Sequence, residues 1–153
     1  DMHAGVSTKA WAHVKNVPGT IFGLGHCTTF KWVSSEAVLD DGTQLMVGFG
    51  SGGDDLDVDD KDAVAKAFAE FVPGAEIIEV DAYNWNKDEY ALGTWMAYRP
   101  GQVMHNASGV QQPHGRIVFS GSDIASGWAG WVDGALESGK HAAGQIETML
   151  AST

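Results

Sequence analysis

The residues best placed to do chemistry lie between Gly115 and Ile146. There an apolar stretch, Arg116-Ile117-Val118-Phe119-Ser120, runs into Gly121, Ser122 and Asp123, and a helix start rich in glycine and tryptophan follows. Unpaired N–H groups at such a start favour anionic charge. Glycines at 127, 130 and 134 would let a flat ring system approach the backbone closely. The same spacing also fits a buried helix that meets a sheet through small residues, and the pattern alone does not choose between the two.

Other chemistries find less support. His3, His13, His26, His105, His114 and His141 show no metal-ligand spacing with carboxylates or with Cys27. The aspartates between 54 and 60 lack the central glycine and closing glutamate of a calcium loop, and read as a solvated loop with a helix cap. Gly48-Phe49-Gly50-Ser51-Gly52-Gly53 spells a dinucleotide fingerprint. Five aspartates in the next seven residues would repel a pyrophosphate, and no helix begins at those glycines. No nucleophile elbow supports Ser-His-Asp chemistry.

The positioning elements follow from periodicity. Residues 5–15 read as a strand, as do 28–40 and 44–50, with Asp40-Asp41-Gly42 as a hairpin turn because Asp and Gly tolerate positive φ. A helix is predicted at about 60–72, with Val64, Ala67, Phe68 and Phe71 on one face, Asp59 or Asp60 as cap, and Pro73-Gly74 as stop. Residues 76–82 read as a strand, 83–115 mostly as loop, and 116–120 as a short buried strand. The final helix carries Trp128, Trp131, Val132, Ala135, Leu136, Gly139, Ala142, Ala143, Ile146 and Leu150 at the spacing of a buried face. The class is α+β: an antiparallel sheet with a helix, then a strand and helix belonging to another layer.

The stretch from Gly115 is similar to the C-terminal flavin-binding signature of the flavin-dependent amine oxidases (the monoamine, polyamine and 6-hydroxynicotine oxidase family). That signature runs Gly-Arg-Ile-x-Phe-Ala-Gly-x-Glu, then Trp-x-Gly-Tyr-x-x-Gly-Ala. Upstream, Asn84-Trp85 through Gly93-Thr94-Trp95 to Tyr98-Arg99-Pro100-Gly101 resembles the family's Trp…Gly-x-Tyr…Pro-Gly block. His3 to Lys15 resembles the strand bearing its active-site lysine. Three ordered matches over about 140 residues are far more specific than one motif.

The resemblance implies that Lys9 holds a water beside flavin N5, and that Trp95 and Trp131 form two walls of an aromatic cage for an amine. Read without it, Lys9 is an ordinary strand lysine and both tryptophans are core residues. It further implies that Gly121, Ser122 and Asp123, which stands where the family usually has Glu, meet the ribityl–phosphate region of FAD, and that Gly130, Trp131 and Val132 lie near the pyrimidine ring. Thr94 replaces the cysteine that attaches the cofactor in some relatives, so FAD is expected to be non-covalent. The tryptophan at the first wall, where animal monoamine oxidases have tyrosine, is closer to bacterial nicotine-type oxidases. The implied reaction is hydride transfer from an amine to flavin, giving an imine, with O2 reoxidation to H2O2. The alternatives are an L-amino-acid oxidase, whose carboxylate substrate would want an arginine clamp from Arg99 or Arg116, a nicotine-type dehydrogenase, or a flavin-free binding module.

On this reading residues 1–111 form part of the substrate domain and 112–153 the last strand and helix of the FAD domain. The dinucleotide-binding half is expected on a second polypeptide, a separate subunit or a proteolytic partner, in a higher oligomer. The start, with Met second, is read as a cleavage or cloning boundary. Bulk properties fit: 153 residues suit one domain or pieces of two, and no apolar run approaches the ~20 residues of a membrane helix. The single Cys27 excludes an internal disulfide and suits a reducing, cytoplasmic setting. A net charge of −11 with two arginines argues against nucleic acid. It would serve solubility or draw cationic amines.

Overall fold

The structure, a computed structural model, describes residues 4–51, 56–106 and 109–152. The chain forms two compact units, Val6–Thr94 and Trp95–Thr153 with Asp1–Gly5.

The first unit is a five-stranded antiparallel sheet with one helix. Its strands are β1 (Ser7–Lys15), β2 (Phe22–Leu24), β3 (Trp32–Val38), β4 (Gln44–Ser51) and β5 (Glu76–Ala82), in the order β2-β3-β4-β1-β5. β3 and β4 are joined by the expected turn. Gly42 takes φ +82, and the Leu39 N–H reaches the Thr43 carbonyl at 2.8 Å. Alternation along β1 sends Ala10, Ala12 and Val14 into the core, against Phe30, Val33 and Met46 of the sheet side and Val64, Ala67 and Phe68 of helix α1 (Lys61–Ala69). Each large buried side chain there stabilises the fold by about 1.5–3 kcal/mol. The Asp60 side chain caps α1 by accepting from the Asp62 and Ala63 N–H groups at 2.9 and 3.3 Å.

Four sequence-based expectations change. The strand expected over 28–40 runs only over Trp32–Val38: residues 28–30 take side-chain partners, while Lys31 keeps backbone bonds to the Phe49 carbonyl and the Gly25 N–H. The Thr29 N–H and hydroxyl donate to the Glu70 carboxylate, and Lys31 Nζ donates to the Thr28 carbonyl at 2.6 Å. The strand expected at 116–120 reduces to one bridge, His114 with Ile117, and Ile117 and Phe119 are exposed. A strand needs a neighbour for its N–H and C=O groups, and none of the described strands pairs with it. The last helix, α3, spans Val132–Ala151 and buries Gly134, Ser138 and Ala142, while Leu136, Ile146 and Leu150 of the predicted buried stripe are exposed. The covered side is the one whose small residues admit the preceding loop. A five-residue helix, α2 (Gln102–Asn106), interrupts the stretch read as loop.

The glycines of the fingerprint-like run have a packing role. A Cβ on Gly48 would lie 2.5 Å from the Phe30 ring, and one on Gly50 2.9 Å from the Thr29 carbonyl oxygen. Gly52 and Gly53, with Asp54 and Asp55, lie outside the described residues.

Candidate functional site

In the sheet unit, Lys9 stands on the face of β1 opposite the core, with Trp11 and His13 at the next positions on that face. It is paired directly with Phe49 of β4, which is paired with Trp32 of β3. The Trp32 and Phe49 rings stack at 5.5 Å, the Phe22 and Trp32 rings at 6.2 Å, and Lys9 Nζ lies 5.3 Å from the centre of the Trp11 ring. The lysine thus ends an aromatic row, with its Nζ over the Trp11 indole face. Sequence reasoning missed this row, since β2 is short and the cross-strand register that lines up Trp32, Phe49 and Lys9 is tertiary. A shallow groove of about 310 Å3 continues on this face, lined by Trp11, His13, Leu45, Glu79 and Asp81.

Residues 84–94 of the Asn84-Trp85 block belong to the same unit. Asn86 Nδ2 donates to the Ser7 carbonyl at 3.0 Å, two residues before Lys9, and the Tyr83 and Trp85 rings meet edge to face at 4.7 Å. Asp88 accepts from the Tyr83 hydroxyl at 2.7 Å and from the Tyr90 and Ala91 N–H groups. These bonds, the Tyr83 hydroxyl first, hold its carboxyl below the ordinary range, and the bond to the Asp88 carboxylate together with its charge pushes the Tyr83 phenol up. The hydroxyl of Thr94 is buried with no hydrogen-bond partner among the described residues.

The second unit brings the other predicted residues together. The Trp95 carbonyl accepts the Gly5 N–H at 2.7 Å, and the next N–H, that of Met96, donates to Asp123 Oδ2 at 2.9 Å. Asp123 lies in a 3-10 turn, Ser122–Ile124, and the Ser122 carbonyl accepts the Gly130 N–H at 3.1 Å. Trp131 then caps α3 in extended conformation, with no side chain bonding the helix start. Trp131 and Val132 are 66% and 77% exposed, and Trp95 47%. Within this chain neither tryptophan is a core residue. Gly130 takes φ +83, and a Cβ at Gly121 or Gly130 would meet nothing within 4 Å. Sequence reasoning also missed Glu137 and Ser138: the Glu137 carboxylate accepts the Ser126 and Gly127 N–H groups, and Ser138 Oγ accepts that of Gly121. Their only sequence signal was a polar pair three and four residues past Gly134, on a helix otherwise rich in small residues.

Cys27 is exposed, with its Sγ 3.1 Å from His26 Nδ1. Among the described residues no group of three or more His, Cys, Asp or Glu side chains is arranged to hold a metal, and no helix is long and apolar enough to cross a membrane.

Residues 2–147 match the model of a family described as flavin containing amine oxidoreductase. The chain is similar to pseudooxynicotine dehydrogenase of a Pseudomonas species, with 36% identity over 152 residues that cover 97% of this chain and 30% of that protein. Similarity to (S)-6-hydroxynicotine oxidase of Paenarthrobacter nicotinovorans is 30% over 144 residues, covering 94% and 33%. A solved structure of putrescine oxidase bound to putrescine shares the fold, with a TM-score of 0.76 at 24% identity over 96% of this chain and 36% of that one. The chain spans about a third of the length of these relatives.

Proposed function

The chain belongs to the flavin-containing amine oxidoreductase family, and on that premise we propose that it forms the substrate-facing wall and closing edge of the flavin site in an enzyme that oxidises an amine to an imine. Non-covalently bound FAD would supply the redox chemistry there, taking hydride from the carbon of the C–N bond and passing the electrons to O2 with formation of H2O2. The residues present suit such a group. The start of α3 carries no side-chain cap, and Gly121 and Gly130 leave open backbone beside it. Asp133 in the first turn offsets part of that positive potential.

Gly121, Ser122 and Asp123 would meet the ribityl–phosphate region, and Gly130, Trp131 and Val132 the pyrimidine edge. Trp95 and Trp131 would orient the amine and exclude water. Lys9 would hold a water and move its proton. The observation that carries this reading is the single hydrogen-bonded assembly of the second unit. The peptide after Trp95 is tied to Asp123, and the peptide before Trp131 to Ser122. The two proposed walls and the proposed cofactor turn are therefore positioned by one network.

A second reading, a dehydrogenase acting on a bulky or heterocyclic amine with an acceptor other than O2, is favoured by the similarity to pseudooxynicotine dehydrogenase. On either reading 1–111 serves the substrate domain and 112–153 the FAD domain. The dinucleotide-binding half would lie outside these residues, and a second polypeptide in a cytoplasmic hetero-oligomer is the source proposed for it. The test is a visible spectrum of natively purified protein with intact masses of every chain. An oxidised-flavin spectrum, with colour released by acid denaturation and a companion chain present, supports the proposal. A colourless folded protein sinks it, and flavin that stays attached after denaturation sinks the non-covalent part.

A further inference from the structure

The loop between the 3-10 turn and α3 is held by two side chains with no role in the chemistry above: Gln111, whose Nε2 donates to the Ile124 carbonyl and the Ser126 hydroxyl, and Glu137, which takes the peptide N–H groups. Glu137 Oε1 accepts the Ser126 N–H at 3.1 Å and Oε2 the Gly127 N–H at 3.0 Å. The carboxylate thus grips two consecutive peptides, one with each oxygen. Past this grip the chain makes a strained step, Trp128 at φ +52, whose carbonyl accepts the Trp131 N–H at 3.0 Å. The turn also rests on Gly134, where an added Cβ would collide with the Trp128 carbonyl oxygen. A left-handed tryptophan is uncommon and persists only where its surroundings over-determine it. The surroundings here are the Glu137 clasp and the Gln111 bonds on the Ser126 side, the Gly130–Ser122 and Trp128–Trp131 bonds on the other, and Gly134 beneath.

We propose that Glu137 is a positioning residue for Trp131: by clasping the Ser126 and Gly127 peptides it forces the 128–131 turn and so aims the indole. This rests on the amine-site reading only in what the aimed indole contacts. A carboxylate suits the task because it offers two acceptors and no donor. Glutamine keeps one acceptor and sets an NH2 against the other peptide N–H, so it should restore the clasp in part. Alanine should release it.

The test uses the full-length, flavin-loaded protein, with amide hydrogen exchange as one readout and steady-state turnover of benzylamine as the probe amine as the other. Glu137→Ala is expected to speed exchange at Ser126, Gly127 and Trp131 at least about tenfold and to raise KM about tenfold, the size of losing one charge-assisted contact. Glu137→Gln should fall between Ala and the parent. In a Trp131→Ala background, Glu137→Ala should add nothing further to KM, because residues acting through one another are non-additive. Unaltered exchange at Trp131, or a KM effect that adds in full to that of Trp131→Ala, overturns the proposal. A parent protein that exchanges as expected but never turns over benzylamine or other amines sinks the amine reading, while the exchange data still decide the clasp.

Discussion

Gly48→Ala separates a packing glycine from a phosphate-binding one. A Cβ at this position would lie 2.5, 2.6 and 2.7 Å from Cε2, Cδ2 and Cζ of Phe30. Carbon atoms rest about 3.5–4.0 Å apart, so the ring would have to retreat by roughly 1 Å. It has no space to do so, since Phe30 is 1% exposed and its ring centre is 5.0 Å from that of Phe68 behind it. Overpacking of this kind costs about 1–3 kcal/mol, while replacing glycine returns about 0.4–1 kcal/mol through the unfolded state. The net loss is about 1–2 kcal/mol, or about 4–16 °C in Tm for a unit of about 90 residues melting by itself. The assay is thermal and urea unfolding of the sheet unit's transition, resolved from that of the second unit because two-unit chains need not melt as one. Shrinking the ring should relieve the clash: the double variant Gly48→Ala/Phe30→Leu should be more stable than the sum of the singles by about 1 kcal/mol. Strict additivity, or a Gly48→Ala protein of unchanged stability that fails to retain FAD, would refute the packing role and return the run to a phosphate-binding one.

Lys9→Met should leave Tm within about 1–2 °C, since the residue is exposed, while slowing flavin reduction or reoxidation in stopped-flow; unchanged rates in both half-reactions remove Lys9 from the mechanism. Trp95→Ala and Trp131→Ala, both on exposed rings, should cost less than about 1 kcal/mol of stability yet raise KM for amines roughly tenfold or more, and unaltered steady-state constants contradict the cage. The lowered Asp88 carboxyl makes its bonds to Tyr83, Tyr90 and Ala91 a stabilising contribution present above the unfolded carboxylate pKa of about 3.9 and lost as pH falls through the lower folded value. Near-ultraviolet circular dichroism of the Tyr83–Trp85 pair should therefore change below about pH 4 in the parent. In Asp88→Asn, that acid transition should be absent, and its persistence would place its origin elsewhere.

Much of the local order is legible along the chain because it is encoded by neighbours in sequence. The β1 alternation, the Asp40-Asp41-Gly42 turn, the Asp60 cap and the Val64, Ala67, Phe68 face of α1 each follow from a two-residue or 3.6-residue period or from a residue that tolerates one backbone geometry. The family likeness was legible too, since its motifs keep their order through the whole match. What the sequence could not decide was which apolar positions are covered. Ile117, Phe119, Leu136 and Leu150 have the periodicity of buried residues but are exposed, because periodicity marks a face and only a neighbouring surface buries it. Nor could it show that Phe49 and Trp32 line up with Lys9, or that Asp123 and Glu137 accept peptide N–H groups from segments 27 and 10–11 residues away. Those pairings depend on strand register and loop closure, which are free energies of the whole fold rather than properties of any segment.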